Sequence, residues 1–302
     1  MTSVNVVMSS YNGQQNIVKQ LDSIFNQNGV EVKLTIRDDK STDNTIETIR
    51  DYMKKNPNYN IKLIEGDNVG YAKSFWLALR ESEDAEYYAF ADQDDIWKKD
   101  KLIKCIDPML NENKIAQLSY CKMIRCDTNL NRLREQVNVL SINQLSKKLI
   151  LTKTYNYGAA TVINRYAKEL VCRVWPEEYD LPHDLWVGII CYYFGKVHFI
   201  NEELYYWIRY NTSVTGSGNK LSGIRFRLKE TLRKKSYPNT SKYILEHYDD
   251  LLNDEDKDFF KTVATYRKNN KNKWRLIFDK DFNRRNFFGT VALKIAILLG
   301  WY

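Results

Sequence analysis

The chain of 302 residues has only five cysteines (Cys105, Cys121, Cys126, Cys172 and Cys191), an odd number with no C-x-x-C pair. This excludes a disulfide framework and a zinc ribbon and fits a reducing compartment. The N-terminal stretch Met1-Thr2-Ser3-Val4-Asn5 has neither the basic nor the apolar region of a secretory leader, so a cytoplasmic location is expected. Also missing are G-x-x-x-x-G-K-[ST] and G-x-G-x-x-G, so neither glycine-rich phosphate cradle applies. No helix-turn-helix, RNA-recognition or zinc-finger signature occurs, which leaves no nucleic acid among the expected partners. The apolar run Phe287–Tyr302, interrupted by Lys294, is shorter than the ~20 residues of a spanning helix. An interfacial helix with aromatic and basic anchors is expected there instead.

What is present is a globular composition, 43% hydrophobic with a net charge of +8, enough for one large domain or a domain with an appendage. The charge is uneven. Residues 1–200 carry 26 Lys+Arg against 26 Asp+Glu, while residues 201–302 carry 20 against 12. An excess confined to the last third points to an anionic surface, either membrane or nucleic acid; with no nucleic-acid signature present, a membrane is expected, with the protein peripheral at its inner face.

From residue 4 to residue 91 strand and helix patterns alternate. Val4–Met8, Val32–Arg37, Ile61–Glu65 and Tyr87–Ala91 read as strands. Between them, helical stripes are formed by Ile17, Leu21, Ile24 and Phe25, by Ile46, Ile49, Tyr52 and Met53, and by Tyr71, Phe75 and Leu79. A βαβαβαβ series requires a mostly parallel sheet with right-handed crossovers. Ligands of such sheets bind beyond the carboxyl ends of the strands. Those ends are Ser9-Ser10-Tyr11, Asp38-Asp39, Gly66–Gly70 and Asp92-Gln93-Asp94-Asp95. The last places three carboxylates beside a buried strand, a pattern suited to a hard divalent cation that also holds substrate phosphates.

Further along, a helix is expected over Lys101–Leu110, strands at Ala116–Arg125, Val197–Ile200 and Leu204–Tyr210, and a loop at Thr215-Gly216-Ser217-Gly218. Another carboxylate lies in Pro182-His183-Asp184-Leu185-Trp186, ahead of a helix to Phe194. The last 80 residues read as helices with basic faces.

Five segments, Met8-Ser9-Ser10-Tyr11-Asn12-Gly13, Arg37–Thr45, Asn68-Val69-Gly70, Tyr87–Leu102 and His183-Asp184-Leu185-Trp186, together make the chain resemble the family 2 glycosyltransferases. Within them it is similar to bacterial rhamnosyltransferase-type enzymes of capsule and cell-wall polysaccharide synthesis. The resemblance spans roughly residues 4–216. It implies an α/β GT-A fold, a mostly parallel sheet flanked by helices, over residues 1–216, with a helical, basic, membrane-associating region over 217–302. It further implies inverting transfer of rhamnose or another hexose from a UDP- or dTDP-sugar to a lipid-linked saccharide acceptor, with Mg²⁺ or Mn²⁺ as cofactor. By the same resemblance Ser9, Tyr11, Asp39, Asn68, Asp92 and Arg209 are expected to bind the donor nucleotide. Asp94, with Asp92, is expected to hold the metal, and Asp184 to be the catalytic base. His183 is expected to orient Asp184 or to be a core residue. Two positions depart from the family pattern, Lys40 where glycine is usual and Lys99 where proline is common. The histidine of an Arg-x-His motif is also absent after Arg209. A sugar-nucleotide-binding scaffold without turnover is the alternative reading.

Overall fold

The computed structural model describes residues 1–110, 114–175, 181–210 and 236–302. The expected loop at Thr215–Gly218 and the expected boundary at 216/217 lie outside them. The chain forms two compact units.

The first unit comprises residues 1–144, 155–175 and 182–210. It opens with β1 (Thr2–Ser10), α1 (Ile17–Phe25), β2 (Val30–Asp38), α2 (Thr45–Lys55), β3 (Asn60–Glu65), α3 (Tyr71–Glu81) and β4 (Tyr87–Asp92). Each helix follows from its apolar spacing. Ile17, Leu21 and Ile24 of α1 are fully buried, one stripe at i, i+4 and i+7. α2 stops at Asn56, whose amide turns back to the Tyr52 and Met53 carbonyls, because Pro57 cannot continue a helix. The four strands are parallel, and their register is what builds a common rim: Ser9 lies opposite Asp92, and Ser10 opposite Asp38.

The rest of the unit adds β5 (Ile96–Trp97), α4 (Lys101–Ile106), β6 (Ala116–Cys126), β7 (Thr161–Asn164), α6 (Arg165–Val171), α7 (His183–Phe194) and β8 (Gly195–Ile208). The short helix α5 (Lys147–Ile150) belongs to the second unit. The eight strands run in the order β3-β2-β1-β4-β7-β6-β8-β5. Pairing is parallel through β4 and between β6 and β8, and antiparallel at β4–β7, β6–β7 and β5–β8. Three expectations change in detail. Ile96–Trp97, where the sequence pattern assigns no element, is a strand. The α-helix at 101 gives way to a 3₁₀ turn over Asp107–Met109, since Pro108 lacks an amide hydrogen. Two expected strands are a single one, β8, because the polar stretch after Ile200 is a bulge against β6 between Cys121 and Met123.

The second unit, among the described residues, holds 145–154, Leu181 and 236–302. Its helices after α5 are α8 (Ser236–His247), α9 (Asp254–Thr265), α10 (Asn270–Phe278) and α11 (Phe287–Leu298). The last three start alike: Asn253, Asn269 and Asn286 each accept a hydrogen bond from the backbone amide three residues on, the geometry of an N-cap. Tyr248, Phe260, Tyr266, Phe282 and Ile297 form its core.

Candidate active site

The carboxyl ends of β1, β2 and β4 are tied together by side chains bonding to main chain. The Gln93 amide clamps Tyr11 from both sides, its Oε1 accepting from the Tyr11 N–H (2.9 Å) and its Nε2 donating to the Tyr11 carbonyl (2.9 Å). Gly13 makes room for the clamp, since a Cβ there would stand 2.2 Å from Gln93 Oε1. Asp38 is spent on structure. It accepts from Ser10 Oγ (2.8 Å), the Ser41 amide (2.7 Å) and Ser41 Oγ (2.6 Å).

Asp39, only 3% exposed, holds the loop after β3. Its Oδ1 accepts from Arg37 (2.6 Å) and the Val69 amide (2.9 Å), and its Oδ2 from the Gly70 amide (2.9 Å). Arg37 completes the fork by donating to Ser74 Oγ (3.0 Å) and the Asp67 carbonyl (2.9 Å). Ser9 joins through its hydroxyl, 2.7 Å from Ser74 Oγ. Tyr11 and Asn68 face solvent at the same rim. Lys40 adopts φ +66°, a left-handed conformation that explains why glycine is usual at this place.

Beyond β4 the negative charge is concentrated. Burial first, then the charges of Asp94 and Asp184, push the Asp92 carboxyl up to about 7. Asp94 is also raised, by burial, against the pull of Arg209. The backbone amide of Asp94 itself opposes that rise, whereas no hydrogen bond from the described residues offsets the one at Asp92. Asp95 is 1% exposed, and burial with the Asp92 and Asp94 charges holds it well above the usual carboxylate range, opposed by the Ile208 amide. Lys101 supplies a cation on the core side, fully buried with Nζ 3.5 Å from the Trp97 ring centroid. Tyr210 caps the loop by donating to the Asp94 carbonyl (3.4 Å).

Asp184 sits in the first turn of α7. Its Oδ1 accepts from the Leu185 amide (2.8 Å), and Asn156 Nδ2 holds its carbonyl (3.2 Å). The structure therefore brings Asp94 and Asp184 each within electrostatic reach of Asp92, with Arg209 within reach of Asp94. Asp39 lies on the same rim but turns its carboxylate into the loop after β3. His183 is a core residue, stacked on Phe75 (centroids 4.0 Å apart) with no hydrogen bond at either ring nitrogen among the described residues.

The donor set suits a hard cation. Crowded carboxylates with few hydrogen-bond donors are the arrangement that Mg²⁺ or Mn²⁺ relieves. No cluster of three or more ligating side chains occurs among the described residues, so one or two carboxylates would share the ion with substrate phosphates and water. Sequence reasoning missed Gln93, Arg37, Ser74 and Asn156. Arg37 alone had a signal, a charge set between Leu34-Thr35-Ile36 and the paired Asp38-Asp39.

Residues 5–170, more than half of the chain, match the family model described as Glycosyl transferase family 2. The chain is 36% identical over 110 residues to the dTDP-rhamnosyl transferase RfbG of Shigella flexneri, covering 35% of this chain and 38% of that protein. It is 30% identical over 149 residues to the putative teichuronic acid biosynthesis glycosyltransferase TuaG of Bacillus subtilis, covering 49% and 58%. The matches thus span well under two thirds of either relative. Among solved structures, S. aureus TarS 1–349 in complex with UDP-GlcNAc superimposes with a TM-score of 0.55 at 16% identity, covering 100% of this chain and 93% of that one. The mannosyltransferase PcManGT from Pyrobaculum calidifontis, in complex with GDP-Man and Mn²⁺, also gives 0.55, at 14% identity over 99% and 80%. At these identities the likeness is one of fold, an α/β sheet of the GT-A type.

Proposed function

Because the chain belongs to glycosyl transferase family 2, we propose that it is an inverting, metal-dependent glycosyltransferase. It moves rhamnose or another hexose from a dTDP- or UDP-sugar to a lipid-linked saccharide in the synthesis of a bacterial surface polysaccharide, working at the inner face of the cell membrane. The observation that carries this reading is the convergence of carboxylates from the end of β4 and the start of α7, where Asp94 and Asp184 both act on Asp92. The names of RfbG and TuaG and the UDP-GlcNAc held by TarS support a pyrimidine donor and a surface polysaccharide product.

In this reading Ser9, Tyr11, Asp39 and Asn68 line the nucleoside end of the donor. Asp39 keeps acceptor capacity on Oδ2 for a pyrimidine N3–H. Arg209 meets the diphosphate. Asp94, with Asp92, would hold Mg²⁺ or Mn²⁺, which when bound offsets the charge gathering on the departing diphosphate. Asp184 takes the proton of the acceptor hydroxyl as its oxygen attacks the anomeric carbon, a contribution of about 10²–10⁴ in rate. The bond to the diphosphate breaks on the opposite face, and the centre inverts.

A donor screen that measures nucleoside diphosphate release, with and without Mn²⁺ or Mg²⁺, tests the assignment. Asp94→Asn is expected to lose metal-dependent donor binding, whereas Asp184→Asn keeps donor affinity and loses transfer by about 10²-fold or more. Wild-type transfer by Asp184→Asn would overturn its role as base. Donor binding without release, for every donor and acceptor tried, would favour the scaffold reading.

A further inference from the structure

The last two helices of the second unit turn an unusual amount of apolar surface outward. α11 is anchored by its inner face, with Leu293 and Ile297 fully buried. Lys294 is drawn inward too, its Nζ donating to the carbonyls of Leu276 (2.7 Å) and Asp279 (2.8 Å). Nothing charged is left on the outer face. Phe287 and Phe288 are 76% and 85% exposed, and Val291, Ile295 and Leu298 continue the surface along the helix. From α10, Trp274 and the 74% exposed Phe278 stack on each other. Trp274 then lines an apolar groove with Val291, Ile295 and Leu298.

The segment that carries this face is basic. Residues 270–302 carry seven Lys and Arg against two Asp, and no acid follows Asp281. Of those two, Asp279 is paired with Lys148 (2.7 Å). Lys271, Lys273, Lys280 and Arg285 make no ion pair among the described residues. A helix of 12 residues is about 18 Å long, against a hydrocarbon core of about 30 Å, and no described helix is long and apolar enough to cross a membrane. Exposed aromatic rings bounded by unpaired lysines, on a helix too short to span, match the physics of an element lying in the plane of a lipid surface. A second copy of the chain fits poorly, because a face related to itself by two-fold symmetry would bring like charges together.

We propose that α10 and α11 form a membrane-docking surface, with Phe278, Phe287 and Phe288 entering the acyl boundary of an anionic leaflet while Lys271, Lys273 and Lys280 contact its headgroups. For its purpose, meeting a lipid-linked acceptor, the surface rests on the function proposed above. For its physics it does not.

The test is co-sedimentation of the full chain with phosphatidylcholine vesicles, with and without phosphatidylglycerol, at low and high salt. Wild type is expected to bind the anionic vesicles and to release them at high salt. Phe287→Ser with Phe288→Ser is expected to weaken partitioning at least about tenfold, and Lys271→Glu with Lys280→Glu by a similar factor. Both variants keep the wild-type circular dichroism and the wild-type rate on a water-soluble acceptor. Wild-type partitioning by either variant, equal affinity for neutral vesicles, or no vesicle binding at all would overturn the proposal. So would a dimer in solution that the Phe variant abolishes, since the face then belongs to a second copy. Absence of transfer to any acceptor, with vesicle binding intact, would count against the proposed function and leave the docking surface standing.

Discussion

Gln93 holds the Tyr11 main chain through two hydrogen bonds, in space that exists because residue 13 has no side chain. Gly13→Ala must displace the Gln93 amide, so it is expected to cost about 1 kcal/mol in the wild type and close to nothing in a Gln93→Ala background. A double-mutant cycle by chemical denaturation reads that coupling. Lys40 gives the opposite sign. At φ +66° a residue with a Cβ pays a local strain, and its exposed pair with Asp67 (3.1 Å) returns little. Lys40→Gly is therefore expected to stabilise by about 0.5–1 kcal/mol, visible as a higher denaturation midpoint. His183 sets a pH dependence. Burial lowers its imidazole from 6.5 to about 3, so below 6.5 the unfolded chain takes up a proton that the folded chain refuses. Stability then falls as pH drops from about 6.5 towards about 3, by at most about 1.4 kcal/mol per pH unit from this group. His183→Leu is expected to flatten that part of the stability–pH curve.

At the scale of elements, β8 starts where Gly195 lies against β6 so closely that a Cβ would stand 2.2 Å from the Ala116 carbonyl. Backbone cannot give way as a flexible side chain can. Gly195→Ala is expected to cost about 1–3 kcal/mol, seen as a lower urea midpoint at an unchanged m-value. The same elements show which parts of the fold were legible. β1 to β4 and their helices each carry a complete apolar period within a short window, and their polar ends mark the rim on which Asp39, Asp92 and Asp94 lie. The two-residue β5 has no period at all, and the bulge in β8 imitates a turn because its polar residues face water. The clamp by Gln93 was unreadable for another reason. Its partner is a main-chain unit 82 positions away, and backbone carries no residue-specific signal. For Asp184, only the resemblance to a known family singled it out from other acids at helix starts.

At the scale of the whole molecule, the charge asymmetry separates two kinds of substrate encounter. Turnover with a lipid-linked acceptor in anionic vesicles is expected to fall as salt screens the basic surface. Turnover with a water-soluble acceptor is expected to hold steady, and parallel rate measurements on the two compare them directly. The pairing of the sheet bears on how the acidic loop would take up the proposed ion. Asp92 pairs with β1 on one side of the loop, and Ile96 and Trp97 pair with Tyr206 and Tyr205 on the other, leaving a three-residue bight moored at both ends. Such a bight has little freedom to surrender on ligation, so swapping one cation for another should run at the pace of ion dehydration, with the amide hydrogens of its moorings still slow to exchange.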